Sequence, residues 1–66
     1  MEFPRQFSLK ELRVRKGKTQ KQAAHDLGVS TTTYNTWEQH ITNLKVSTIM
    51  RLAEYYEVDL REIFLG

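Results

Sequence analysis

Candidate helix starts recur along this 66-residue chain, and their regular spacing constrains its fold more than any other feature. Each is a Ser, Thr or Asp ahead of an apolar run, and three of them form a capping box with a Glu or Gln three residues later. The five candidate N-caps are Ser8, Thr19, Ser30, Ser47 and Asp59. Since no segment between them alternates as a strand does, the pattern predicts an all-α chain of five short helices.

Glycines mark the ends of two of the predicted helices. Gly17 stops the first apolar run, and Gly28 fits a left-handed C-terminal cap. The first three predicted helices cover about 8–16, 19–27 and 30–39. The fourth follows Ser47 and ends near Glu57, and the fifth follows Asp59.

Length and cysteine content limit how the chain is held together. With no cysteine there is neither a disulfide framework nor a thiolate zinc site. A chain of 66 residues buries only a small core, so we expect residues 1–66 to form one domain. No apolar run approaches the ~20 residues of a membrane helix, so we expect a cytoplasmic protein without a membrane partner.

Charge is distributed unevenly along the sequence. Residues 1–24 hold seven Lys or Arg against two Glu, a net charge of +5, whereas residues 25–66 hold three against six, a net charge of −3. The basic part could face a polyanion, or it could simply keep one face of the protein solvated. Charge alone does not separate these two interpretations.

Catalytic chemistry finds no support in the sequence. His25 and His40 lie fifteen residues apart, with no cysteine in the chain and no cluster of carboxylates beside them. No Ser-His-Asp order, glycine-rich phosphate loop or acidic pair is present. We therefore expect no enzymatic activity, no bound metal and no cofactor.

The second and third predicted helices are separated by only three residues, "GVS". So short a connection forces two helices to cross steeply, which is the geometry of a helix-turn-helix over about 19–39. In DNA-binding proteins of this kind, the second helix of the pair lies in the major groove. The same geometry also occurs in small bundles that bind no DNA.

The residues themselves resemble a known family. The stretches "LKELRVRKGKTQKQAAHDLGVSTTTYNTWE" and "IMRLAEYYEVDLREIF" are similar to the Cro/repressor-type helix-turn-helix domain, also called the XRE family, from about Leu9 to Leu65. The resemblance implies a compact five-helix bundle of the lambda-repressor-like type. It also implies sequence-specific binding of double-stranded DNA by a transcriptional regulator, with repression as the expected role.

The resemblance places base-reading residues on the third predicted helix. Thr31, Thr32 and Thr36 match the principal base-reading positions of the family, and Asn35 lies on the same side of the helix. A threonine hydroxyl can donate to or accept from a base, and its methyl group packs on the methyl of thymine. Threonine is a poor helix former, and three in a row could simply start a helix in solvent. The family match around them favours a functional exception to local preference, with a structural role for Thr33.

Phosphate contacts are expected on both sides of these base readers. The candidates lie around the start of the second predicted helix and after the third: Lys18, Thr19, Gln20, Lys21, Gln39, Thr42, Asn43 and Lys45. The family also pairs an arginine on its first helix with a glutamate at the end of its third. This implies a structural ion pair between Arg13 and Glu38, which would then not contact DNA.

The resemblance further implies a homodimer, because two half-sites strengthen the binding of a small domain to DNA. The candidate dimer contacts are Leu44, Phe64 and Leu65. An alternative function is an antitoxin-like or other protein-interaction module, which would bind a protein partner through the tail "REIFLG". Weak DNA affinity together with a tight protein complex would favour that alternative.

Several positions depart from the family pattern. His40 and Leu44 stand where Gly and Pro are usual, so we expect the loop after the third helix to follow another path. Glu57 replaces the usual glycine after the fourth helix, which implies a left-handed residue or a differently ended helix. Lys18 replaces an apolar residue, which exposes that site or makes the lysine stem lie along the surface.

Overall fold

Four α-helices and two short 3₁₀ turns form residues 6–63, the part of the chain that this computed structural model describes. The helices are α1 (Leu9–Lys16), α2 (Gln20–Leu27), α3 (Thr31–Gln39) and α4 (Val46–Tyr55). The 3₁₀ turns cover Ile41–Asn43, between α3 and α4, and Leu60–Glu62, after α4. The predicted all-α class is confirmed.

The first three helices begin and end where their capping residues predict. The capping boxes of Ser8 and Thr19 are both present. In each, the cap hydroxyl accepts a hydrogen bond from the backbone N–H three residues later, and the side chain of that later residue accepts one from the cap's own N–H. Ser30 caps α3 with its side chain. Gly17 and Gly28 end α1 and α2 in the left-handed conformation, with φ of 75° and 74°. Local sequence therefore sets the boundaries of the helix-turn-helix.

The predicted fifth helix is wrong, because the segment after Asp59 forms a single 3₁₀ turn, and residues 6–63 contain four α-helices. The capping box at Asp59 is present. However, the turn ends at Ile63, whose backbone is extended, whose side chain is buried and which forms a parallel bridge with Phe7. Pairing with Phe7 requires extended backbone at Ile63, so the helix cannot continue there.

The start of α4 also differs from the prediction. Ser47, the predicted N-cap, lies inside the helix, and the N-cap is Lys45, whose carbonyl already accepts the first helical hydrogen bonds. The helix ends at Tyr55. Glu57 follows with φ of 56°, so of the two predicted alternatives at this position the structure has the left-handed residue.

All four helices contribute to one apolar core. Its buried members are Leu9, Leu12, Ala23, Ala24, Leu27, Tyr34, Ile49, Leu52, Ala53, Tyr56 and Ile63. The small side chains of Ala23 and Ala24 let α3 pack closely against α2. Among residues 6–63, no helix is long and apolar enough to cross a membrane, and no three His, Asp or Glu side chains gather to hold a metal ion.

Candidate nucleic-acid interface

Helix α3 buries one side and exposes a row of threonines on the other. Tyr34 is fully buried, and Trp37 packs against it edge to face with ring centroids 6.2 Å apart. Thr31 and Thr32 are exposed, and their hydroxyls make no hydrogen bond to any residue within 6–63. These two side chains can therefore bond to an external partner without breaking an internal contact.

The other two threonine hydroxyls of α3 are engaged within the helix. Thr33 accepts a hydrogen bond from the Ser30 hydroxyl at 2.9 Å, at the capped start of α3. Thr36 donates its hydroxyl to the carbonyl of Thr32 at 3.0 Å. Thr36 is exposed, and it presents a methyl group and an acceptor oxygen to solvent, since its hydroxyl proton is used.

A largely buried ion pair holds α3 against α1. Arg13 Nε lies 2.7 Å from Glu38 Oε2, and the two side chains are 13% and 7% exposed. The hydrogen bond that Arg13 donates to Glu38 raises the pKa of Arg13. Arg13 also donates from Nη1 to the carbonyl of Lys18 at 3.0 Å, so the same guanidinium contacts the start of α2. Both residues lie where the resemblance implies a structural pair.

Two amide side chains continue this polar network toward the surface. Gln20 donates from Nε2 to Glu38 Oε1 at 3.1 Å, and Asn35 donates from Nδ2 to Gln20 Oε1 at 3.2 Å. Both amides are half-buried. The network thus joins α2 to α3 through a predicted phosphate contact, Gln20, and a predicted base reader, Asn35.

Lys18 is paired with a carboxylate of α2. Its Nζ lies 3.5 Å from Oδ2 of Asp26, and both side chains are about one-third exposed. Tyr55 of α4 donates its hydroxyl to the same oxygen at 2.6 Å. The hydrogen bond from Tyr55 lowers the pKa of Asp26 most, and the nearby charge of Lys18 lowers it further. A phosphate contact by Lys18 would have to compete with this pair.

The other predicted contacts are mostly exposed. Those with exposed side chains are Thr19, Lys21, Gln39, Thr42, Asn43 and Lys45. The hydroxyl of Thr19 accepts the capping bond of α2, so its acceptor capacity is partly used. Leu44, a candidate dimer contact, is half-buried against the core. The other two candidates, Phe64 and Leu65, lie outside the described residues.

Lys10 lies at this surface but is not among the residues predicted from the sequence to contact DNA. This residue lines a cavity of about 360 Å³ between α1, α2 and α3, together with Arg13, Gln20, Asn35, Glu38 and Gln39. The signal was present, because Lys10 lies three residues before Arg13 and residues so spaced share a helix face. Placing Arg13 against α3 would have placed Lys10 beside it.

A comparison with known protein families matches nearly the same residues that the structure describes. A family model described as helix-turn-helix matches residues 9–63. No curated protein and no solved structure matches the chain. The matched range begins at the first residue of α1 and ends at Ile63, so it contains all four helices and both 3₁₀ turns.

Proposed function

The chain belongs to the XRE family of helix-turn-helix domains, which is a DNA-binding regulatory family, and on that premise we propose that it is a sequence-specific transcriptional repressor. The observation that carries this proposal is the exposed face of α3, where Thr31 and Thr32 have unused hydroxyls. We propose repression because a small domain can block a promoter by occupying it. No contact to the transcription machinery is then needed.

In the proposed complex, α3 lies in the major groove of double-stranded DNA. Thr31, Thr32 and Thr36 face the base edges, and their short uncharged side chains let the helix sit deep in the groove. They bond to bases through hydroxyl groups and pack on thymine methyl groups. Since this face of α3 carries no arginine for bidentate guanine contacts, part of the specificity comes from DNA shape.

Phosphate contacts flank this helix in the proposal. Lys21 on α2 and Lys45 before α4 supply exposed charge, and Thr42 and Asn43 in the first 3₁₀ turn supply neutral donors. Each lysine that neutralises a phosphate releases condensed counterions, so affinity should fall steeply as salt rises.

We further propose that the protein works as a homodimer in the cytoplasm. Two copies on inverted half-sites gain affinity through effective concentration, which one domain of this size lacks. Leu44, Phe64 and Leu65 are the proposed contacts. Sedimentation of the protein on a two-site duplex tests this directly: a single bound copy at saturation contradicts the dimer.

Selection of bound sequences from a random duplex pool tests the proposed DNA recognition. The wild-type chain is compared with the triple variant Thr31→Ala, Thr32→Ala, Thr36→Ala and with Ser47→Ala, which removes an exposed hydroxyl from α4. We expect wild type and Ser47→Ala to enrich the same inverted repeat, and the triple variant to lose it. Equal enrichment by all three proteins would show that α3 does not read the bases.

A second candidate function is the protein-interaction module. Val46 and Met50 lie one turn apart on α4 and are 66% and 57% exposed, although both are apolar. They offer a small apolar surface to a protein partner, in addition to the tail "REIFLG". If wild type enriches no DNA sequence but forms a tight complex with another protein that Met50→Lys abolishes, this second function replaces the first.

A further inference from the structure

We propose that the cavity between α1, α2 and α3 seats one backbone phosphate of the bound DNA, with Lys10, Gln20 and Asn35 as its hydrogen-bond donors. We call this cavity the phosphate pocket; its lining is Lys10, Arg13, Gln20, Asn35, Glu38 and Gln39. The inference rests on the proposed DNA binding. Gln20 is already a predicted phosphate contact, and the pocket adds Lys10 and Asn35 as donors to the same phosphate.

The acidic lining residue of the phosphate pocket does not exclude an anion. The Glu38 carboxylate is 7% exposed and accepts hydrogen bonds on both oxygens, from Arg13 at 2.7 Å and from Gln20 at 3.1 Å. Its charge is balanced by the guanidinium of Arg13. Lys10, in contrast, is exposed and makes no ion pair with any residue in 6–63. The pocket therefore presents one uncompensated positive charge.

The orientation of both amides follows from the ion pair. An ionised carboxylate only accepts hydrogen bonds, so Gln20 must turn its NH₂ group toward Glu38 and its carbonyl toward Asn35. Asn35 must then turn its own NH₂ group toward Gln20. Each amide nitrogen carries two protons and gives one to the network, which leaves one N–H of Gln20 and one of Asn35 for a ligand. A phosphate oxygen accepts such bonds and donates none.

The same contacts assign Asn35 to the DNA backbone instead of the base edges. Its side chain is half-buried and bonded to α2, whereas Thr31 and Thr32 are exposed and unbonded within residues 6–63. Asn35 lies one turn after these threonines on α3, so the phosphate pocket adjoins the base-reading face. Seating a phosphate there would fix the depth at which the threonines meet the bases.

Substitution of Lys10 tests the pocket, with Lys16→Ala as the matched control. Lys16 is on the same helix and its loss changes the net charge equally, but its Nζ lies over the ring of Tyr55. We expect Lys10→Ala to weaken binding to all duplexes alike and to reduce the slope of log affinity against log salt by about 0.9, and Lys16→Ala to leave both nearly unchanged. Equal effects of the two variants would overturn the inference.

A duplex with one uncharged methylphosphonate at a time locates the contact. Wild type and Lys16→Ala should lose affinity at one backbone position to which Lys10→Ala is insensitive. Asn35→Ala should bind the unmodified duplex about two- to tenfold more weakly than wild type, be less sensitive than wild type to the methylphosphonate at that same position, and keep the selected sequence motif. A changed motif for Asn35→Ala would make it a base reader and overturn its assignment.

If wild type binds no duplex, the proposed function fails; if it binds and no position depends on Lys10, only the pocket fails.

Discussion

Arg13 Nε on α1 and Glu38 Oε2 at the end of α3 are 2.7 Å apart, and both side chains are largely buried. The same guanidinium donates to the carbonyl of Lys18, just before α2. Arg13 thus links α1 both to α3 and to the segment that leads into α2. Because both charges are withdrawn from water, each is tolerated only while the other is present.

Removing one partner of this pair should lower the free energy of unfolding more than removing both. Arg13→Met leaves the Glu38 carboxylate buried without its counter-charge, and we expect a loss of about 3 kcal/mol in the free energy of unfolding. The double variant Arg13→Met, Glu38→Leu buries apolar groups instead, so its loss should be smaller than that of Arg13→Met alone. Urea unfolding of the three proteins measures these differences. A double variant that loses as much as or more than Arg13→Met would contradict this expectation.

The helix-turn-helix could be predicted closely because its signals are local. Ser8, Thr19 and Ser30 cap the helices that follow them, and Gly28 ends α2, all through contacts within a few residues. The exposed and buried sides of α3 follow in the same way from the spacing of Tyr34 and Trp37 on one side and threonine on the other.

Features that depend on distant residues could not be predicted. The extended conformation of Ile63 results from its bridge to Phe7, at the other end of the described chain, and it overrides the capping box at Asp59. The hydrogen bond between Asn35 and Gln20 exists only because α2 and α3 are packed together. No periodicity within a helix encodes either contact.

The exposed threonines of α3 should limit stability. Thr31 and Thr32 make no side-chain hydrogen bond within the described residues, and threonine is a poorer helix former than alanine. We expect Thr31→Ala and Thr32→Ala each to raise the free energy of unfolding by about 0.5 kcal/mol. The same variants should bind the selected duplex more weakly.

Paired measurements of unfolding and DNA binding on each threonine variant check this trade-off. Thr33→Ala is the control, because its hydroxyl bonds to Ser30 at the start of α3 and its loss should not stabilise the helix. Destabilisation by Thr31→Ala or Thr32→Ala would show that their hydroxyls support the fold after all.

Glu57 occupies a backbone conformation that glycine adopts without strain. Its φ is 56°, and it follows the end of α4. Glu57→Gly removes the strain but gives the unfolded chain more freedom, so we expect a net gain of about 0.5–1 kcal/mol in the free energy of unfolding. Glu57→Ala separates strain from charge, since it removes the carboxylate and keeps the strained backbone. If alanine stabilises as much as glycine, strain is not the cause.

The stability that Asp26 contributes should depend on pH. Its carboxylate accepts the Tyr55 hydroxyl at 2.6 Å and lies 3.5 Å from Lys18 Nζ, and these contacts lower its pKa in the folded state. The unfolded value is about 3.9. Because the folded pKa is the lower one, the contribution is fully present above about pH 5 and is lost as the pH falls through the folded pKa.

Asp26→Asn removes the charge but keeps an oxygen that can accept a hydrogen bond from the Tyr55 hydroxyl. The difference in stability between wild type and this variant therefore reports the effect of the carboxylate charge. We expect wild type to be more stable than Asp26→Asn at pH 7, and the difference to shrink steadily below about pH 4. Urea unfolding across this pH range measures it. Glu54→Gln is the control, since Glu54 is exposed on α4 and makes no ion pair within residues 6–63. A difference between wild type and Asp26→Asn that stays constant with pH would mean that packing, not the carboxylate charge, links α2 to α4 at this point.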